Sequence, residues 1–268
     1  MDIPFLDLTR ELAIAQQAVR VAGAYLLQRL GAAQPGKVKA ARDIQLDVDL
    51  GAERILLEAI QAAFPGDQIL SEEAEGSSSH THGRQWIVDP LDGSFNFQHG
   101  YPLFGSIIAL QLDQVTAMGV IYLPTSDEMY TAVRGQGAFR NGSPLRISTT
   151  SSLSEAIVHV SDFSVSGDPI ENQQRVQIMT TLASAVGRVR MGGTAAGDFA
   201  WLAAGWADGL VMYSTHPWDV EAGALLVEEA GGIVTRVSMP DGKNAYVGGN
   251  RNLHEHFANL VASPHRAR

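Results

Sequence analysis

From residue 86 to residue 145 the chain carries one strand signal after another with little helical pattern between them, and this limits the folds open to it. Apolar runs at 86–88, 103–112 and 116–123 are followed by "EMYTAV". Then comes "RGQGAFRNGSPL", which reads as turn, short strand and turn, with Asn141-Gly142 a hairpin signal. Strands that succeed one another without crossover helices pair antiparallel, so a largely antiparallel sheet is expected here.

On the N-terminal side of this sheet, Leu8, Leu12, Ala15, Val19, Ala22, Leu26 and Leu30 recur at spacings of three and four, which predicts a helix ending at Gly31. "AAQPGK" reads as a loop. A second helix is expected over 50–64, closed by "FPGD". After "QIL", the serine-rich "SEEAEGSSSHTHGRQ" reads as a polar loop. Beyond residue 151 the rhythm alternates: "AIVHVS", helix 169–185, "RVRMG", helix 194–204, "DGLVMYS", helix 218–230, "GIVTRV", "AYVGGN" and helix 251–262. The expectation is an α/β (α+β) fold of two halves, residues 1–150 with the antiparallel sheet and 151–268 with the alternating pattern. No proline-rich or charged linker divides them, which favours a site in the seam.

The net charge of −10 argues against an electrostatic nucleic-acid surface, and it would also repel a phosphorylated ligand unless cations offset it. With no cysteine, thiolate and disulfide chemistry are excluded. No apolar run approaches the ~18 residues of a membrane span, and the N-terminal stretch has no basic segment before an apolar run. A cytoplasmic protein is expected.

The chemistry concentrates in "WIVDPLDGSFNF". Asp89 and Asp92 bracket Pro90, which holds Asp89 extended, and Gly93 permits a tight turn whose backbone N–H groups suit an anion. Further acids stand at Glu72 and Glu73 after a short strand, at Asp43, Asp47 and Asp49 before a helix, and at Asp219 in "HPWDVEAG". A site of carboxylates alone selects hard cations, Mg²⁺ first and then Mn²⁺ or Ca²⁺. Two such ions form the usual clamp for phosphoryl transfer to water.

These residues resemble the inositol monophosphatase-like family of Mg²⁺-dependent, lithium-sensitive phosphatases. Its signature D-P-[IL]-D-G-[ST]-x-N-[FY] is matched from Asp89 to Phe97, its W-D-x-x-A-G by Trp218-Asp219 with Ala222-Gly223, and its E-E pair by Glu72-Glu73. "DVDLGAERIL" and "GTAA" at Gly193 to Ala196 match too. The resemblance implies a layered α/β/α/β/α sandwich and a homodimer. It implies that Glu72, Asp89 and the Leu91 carbonyl hold one Mg²⁺, that Asp89 bridges to a second held by Asp92 and Asp219, and that two or three ions act in all. Glu72, Asp49 and Ser94 become the catalytic group, with Ser94 and Asp49 orienting the attacking water. Gly93 and Ser94 offer N–H groups to phosphate, and Gly193, Thr194 and Ala195 line the side that receives the alcohol.

Two departures bear on the substrate. Ser94 replaces the usual threonine and keeps the hydroxyl. Met212 stands seven residues before Asp219, where many inositol phosphatases carry a glutamate that accepts hydrogen bonds from ring hydroxyls; a thioether is a poor acceptor. Phe95 adds apolar surface nearby. The substrate expected is a small phosphorylated metabolite, inositol monophosphate or a similar sugar or polyol phosphate. The alternatives are a 3′-phosphorylated adenosine nucleotide, fructose bisphosphate and histidinol phosphate. An alternative of another class is a regulatory binding protein on the same fold. His80 and His82 read as loop histidines, His254 and His256 as surface residues, and His216 as packing or phosphate contact.

Overall fold

The computed structural model describes residues 6–31, 35–40, 43–73, 82–164 and 166–264, with the backbone alone at 35–40 and 43–46. In the first half, helix α1 (Thr9–Leu27) precedes a small hairpin, β1 (Pro35–Ala40) and β2 (Asp43–Leu46), and then helix α2 (Asp47–Ala63). Strands β3 (Gln68–Ser71) and β4 (Arg84–Asp92) lead to the short helix α3 (Ser94–Gln98). The sheet is completed by β5 (Gly105–Leu112), β6 (Val115–Leu123), β7 (Glu128–Val133), β8 (Ala138–Arg140) and β9 (Ser143–Pro144). Its seven strands run in sequence order from β3 to β9, antiparallel throughout except for the parallel β3–β4 pair.

The second half contributes β10 (Ile157–Val160), α4 (Pro169–Ala185), β11 (Arg188–Arg190), α5 (Ala195–Ala203), β12 (Gly209–Met212) and α6 (Pro217–Glu229). It ends with β13 (Ile233–Ser238), β14 (Asn244–Gly249) and α7 (His254–Ala262). The second sheet has the order β11-β10-β12-β14-β13. Its β10 pairs are parallel, as crossover helices require, and its β14 pairs antiparallel.

The layering follows from alternation along strands buried on both faces. Trp86, Val88, Ile108, Leu110, Met118 and Val120 enter one core with α1 and α2. Their neighbours Ile87, Ile107, Ala109 and Ile121 enter a second core with Phe199 and Leu202 of α5 and Leu225 and Leu226 of α6. The second sheet closes that core with Leu210 and Met212, while Val211 and Tyr213 turn to a third core with Ile178 of α4 and Phe257 of α7. Three cores between five layers make the α/β/α/β/α sandwich. Helices α5 and α6 touch both sheets, so they carry loops of the second half to the strand ends of the first.

Local signals explain the helix starts. Asp168 caps α4 by accepting from the Ile170 N–H at 2.8 Å, and Pro169 follows at the first helical position. Helix α1 ends at Leu27 rather than Gly31 and α7 starts at His254 rather than 251, and two further expectations fail. Residues 35–37, read as loop, lie in β1, whose pairing with β2 is irregular; a short polar hairpin offers no alternation to detect. His254, read as a surface residue, is buried, and its Nε2 lies 3.0 Å from the Thr235 hydroxyl. It shares the inward face of α7 with Phe257 and Val261, at helical spacing. His256 is exposed, as is His82; His80 lies outside the described residues.

Candidate active site

In an undisturbed strand, residues three apart point to opposite faces. Asp89 and Asp92 do not, because β4 bulges between them: Asp89 lies opposite Ile107 and Asp92 opposite Gly105, so β4 spends one extra residue over that interval. Both acids therefore turn toward the α5/α6 side. Pro90 fits the bulge because it has no N–H to leave unpaired, and its carbonyl accepts from the Ser106 hydroxyl at 2.7 Å. The Leu91 N–H donates back to Asp89 Oδ1 at 3.1 Å, and the Ser94 hydroxyl donates to the Leu91 carbonyl at 3.2 Å. Gly93 then reverses the chain at φ 85°, where a Cβ would stand 3.0 Å from the Leu103 carbonyl oxygen.

Asp92 docks on the start of α5. Its carboxylate accepts from the Thr194 hydroxyl and from the N–H groups of Ala195 (3.0 Å) and Ala196 (2.9 Å), while Thr194 itself caps the helix by accepting from Gly197. Burial pushes the Asp92 carboxyl above the usual range and these three hydrogen bonds pull against it; the balance is upward. Asp219 stands in the first turn of α6, behind Pro217, and accepts from the Ser214 hydroxyl. Glu72 comes from the end of β3, where its N–H donates to the Val88 carbonyl and sets it beside Asp89.

Oxygen atoms of Asp89, Asp92 and Asp219 all lie within 4.8 Å of one another. Asp89 is held well above the ordinary carboxylate range, first by burial, then by Glu72, Asp92 and Asp219, and by a hydrogen bond with Glu72. All of these leading influences push the same way. A divalent cation among the oxygens would reverse them, and an all-oxygen donor set suits a hard ion. The residues present fit such a group.

A cavity of about 880 Å³ opens beside the cluster. Glu72, Asp92 and Asp219 line it, and so do Gly193, Thr194, Ala195 and Met212, the residues expected on the alcohol side. Gly193 has φ 72°, and a Cβ there would meet the Asn96 side chain and an Asp162 carboxylate oxygen. Asp49 is buried in the first turn of α2, one turn before Glu53, which accepts from the Ser71 hydroxyl. Glu73 is half-buried, Asp47 is exposed in that same first turn, and the Asp43 side chain lies outside the described residues. His216 stacks on Trp218, rings 4.8 Å apart, at the cavity rim.

The inositol monophosphatase family model matches residues 7–265. The chain belongs to the inositol monophosphatase family. It is 32% identical to the fructose-1,6-bisphosphatase/inositol-1-monophosphatase of Aquifex aeolicus, over 93% of this chain and 94% of that one. It is 36% identical to the Nus factor SuhB of Escherichia coli, over 89% of each chain. Among solved structures, SuhB of Bartonella henselae superposes with a TM-score of 0.86 at 32% identity, covering 94% of this chain and 98% of that one. The IMPase of Thermotoga maritima superposes at 0.85 and 28%, covering 95% and 98%. Members of the family are phosphoric monoester hydrolases, and this chain is a phosphatase of that family.

Several polar residues around this phosphatase's cavity escape a reading of local sequence. The Asn96 amide donates to the carbonyls of Leu103 and Gly192, each at 2.8 Å, tying α3 to the loop before α5. It stands inside the matched signature, yet nothing local states its partners. Asp162 lines the cavity and carries no motif. Asp198 and His159 form a buried pair, Oδ1 to Nδ1 at 2.7 Å, assembled from α5 and β10. Burial pushes the Asp198 carboxyl up to about 6 from its ordinary 3.8. Folded Asp198 thus holds its proton over a window where the unfolded chain has lost it, so this group makes stability fall as pH rises from about 4 to about 6. Relative to Asp198→Asn, which lacks the group, the wild type is expected to lose unfolding free energy across that window in urea titrations. Parallel pH curves for the two proteins would contradict the assignment.

Proposed function

We propose that the protein hydrolyses the monophosphate of a small polyol or sugar, inositol monophosphate or a close relative, using two or three Mg²⁺ ions for which Mn²⁺ can substitute. The observation that carries this reading is the convergence of Asp89, Asp92 and Asp219 within 4.8 Å, next to a cavity large enough for a metabolite. Glu72, Asp89, Asp92, Asp219 and the Leu91 carbonyl would hold the ions, which supply positive charge against a phosphate and a nucleophile near neutral pH.

The chain's own groups do the positioning. The Ser94 hydroxyl, anchored at the Leu91 carbonyl, orients water with Asp49, while Glu72 accepts its proton. N–H groups of Gly93 and Ser94 receive phosphate oxygens. Gly193, Thr194, Ala195 and Met212 bound the alcohol. Because Met212 offers no good acceptor, breadth toward polyols is expected rather than tight selection. The two halves, 1–150 and 151–268, meet at this site. We place the enzyme in the cytoplasm as a homodimer without a nucleic-acid or membrane partner. No helix among the described residues is long and apolar enough to cross a membrane.

Turnover of a panel of phosphorylated metabolites with Mg²⁺, repeated with lithium, tests the reading. Inositol 1-phosphate or another polyol phosphate should lead, with lithium inhibiting. Faster turnover of adenosine 3′,5′-bisphosphate or histidinol phosphate would move the substrate. A second reading, a regulatory protein on this fold, is favoured by relatives that carry the name Nus factor. A folded protein inert toward every ester, with and without Mg²⁺, would favour it.

A further inference from the structure

Several polar side chains along the alcohol side of the cavity are already engaged. The Thr194 hydroxyl donates to Asp92, the Ser214 hydroxyl to Asp219, and Glu171 takes up Lys243 and Ser164. Met212 offers only a thioether. Asp162 is different. It is half-buried and lines the same cavity, and among the described residues its carboxylate accepts no hydrogen bond and forms no ion pair.

Its place follows from strand register. Strands β10 and β12 run parallel, with Val160 opposite Val211. The contact continues past the strand ends: the Ser161 N–H donates to the Val211 carbonyl at 2.9 Å, and the Tyr213 N–H to the Ser161 hydroxyl at 2.8 Å. Asp162 therefore leaves β10 where the neighbouring chain passes from Met212 to Tyr213. The crevice outside the carboxyl ends of parallel strands is where α/β sheets bind ligands.

The backbone there is braced. An Arg175 Nη donates to the Asp162 carbonyl at 2.7 Å, and the guanidinium lies 4.4 Å from the centroid of the Tyr213 ring. Burial lowers the Arg175 pKa, while Tyr213, Asp241 and Asp162 support its charge. A Cβ at Gly193 would stand 3.3 Å from Asp162 Oδ2, so the absence of a side chain at 193 leaves that oxygen uncovered. Burial pushes the Asp162 carboxyl above the usual range and Arg175 pulls against it, with no hydrogen bond to help.

Resting on the phosphatase reading above, we propose that Asp162 accepts hydrogen bonds from hydroxyl groups of the substrate's alcohol part, and so selects phosphate esters of polyols over those of plain alcohols. A carboxylate can take one hydroxyl on each oxygen, which suits adjacent hydroxyls of a sugar or polyol. Such hydroxyls supply the donors that the folded chain withholds. One acceptor at one point of the wall requires a hydroxyl without fixing the rest of the ring, so the breadth expected from Met212 remains. Asp162 touches the alcohol and not the reacting atoms.

The test compares matched esters in the wild type, Asp162→Ala and Asp162→Asn. The pairs are inositol 1-phosphate against cyclohexyl phosphate, and glycerol 2-phosphate against isopropyl phosphate. The readout is the ratio of kcat/KM for the polyol ester to that for its plain partner. Effects of the lost charge on bound cations or on the phosphate are common to both members and cancel in the ratio. Loss of a hydrogen bond to a charged group amounts to roughly 10- to 100-fold, so Asp162→Ala should lower the ratio by about that factor in at least one pair. Asp162→Asn should fall between, keeping an acceptor oxygen without the charge; being isosteric, it also covers the case in which alanine disturbs the loop. Ratios equal to those of the wild type in both pairs, whether the rates fall together or not at all, would overturn the proposal.

Calorimetric binding of the inositol and cyclohexyl phosphates in the presence of Ca²⁺ separates this from the parent reading. If the wild type cleaves no ester but binds inositol 1-phosphate more tightly, and Asp162→Ala loses that preference, the phosphatase reading fails and the hydroxyl site stands. If the wild type cleaves both esters but binds them equally, hydrolysis stands and the hydroxyl site is overturned.

Discussion

Asp89→Asn is expected to lower turnover by at least ~10³-fold and to leave the metal-free protein as stable as the wild type or more so. The first effect follows from position: Asp89 is the member of the cluster that Glu72, Asp92 and Asp219 all act upon, and it is buried. An amide there supplies an oxygen but no charge. The second follows from the same surroundings. Without a cation, an ionised Asp89 is opposed by burial and by three acids, and a neutral asparagine removes that cost. Its oxygen can keep the Leu91 N–H, and its amide can donate to Glu72. Initial rates on the best phosphate ester and thermal unfolding in EDTA check both halves. Near-normal turnover, or a sharply less stable metal-free variant, would contradict the assigned role.

Asp92→Asn should behave otherwise, losing activity and stability together. The Asp92 carboxylate uses both oxygens on the N-terminus of α5, one toward Ala195 and the other toward Ala196 and Thr194. An asparagine has one oxygen to offer. Thr194 can rotate its hydroxyl, but in either orientation of the amide a helix N–H faces another donor. A buried polar group left in that state costs ~1–3 kcal/mol, or several degrees of Tm at about 2–4 °C per kcal/mol for a chain near this size. Turnover should fall by at least ~10²-fold. Unfolding curves in EDTA for the two variants side by side give the comparison: only Asp92→Asn melts early. If both melt with the wild type, the Asp92 clamp contributes nothing.

That contrast marks where sequence ceases to inform. The D-P-L-D-G run, the W-D pair and Glu72-Glu73 named the acids, because chemistry that needs several carboxylates leaves them in short motifs at strand ends and helix starts. Apolar runs from 86 to 123 and the helical spacings showed the antiparallel sheet and its helices, because a strand buried on both faces is apolar throughout; the five layers were implied by the resemblance alone. What sequence did not disclose was how the acids are aimed. The bulge between Asp89 and Asp92 exists only relative to Gly105 and Ile107 on the neighbouring strand. The seat of Asp92 on α5 joins positions 102 to 104 residues apart. Asp198 with His159, and Arg175 over Tyr213, are likewise pairs made by packing, and no periodicity foretells them. His254 shows the limit within one helix: a polar residue on an inward face is misread when only its polarity is counted.

Carboxylates just after β3, on β4 and in α6 should form one centre for divalent cations. Anomalous scattering from crystals soaked in Mn²⁺ tests it most directly. Peaks should stand among the oxygens of Glu72, Asp89, Asp92 and Asp219 and vanish in Asp89→Asn. Manganese bound elsewhere, with no density in that cluster while the soaked enzyme still cleaves phosphate esters, would contradict it.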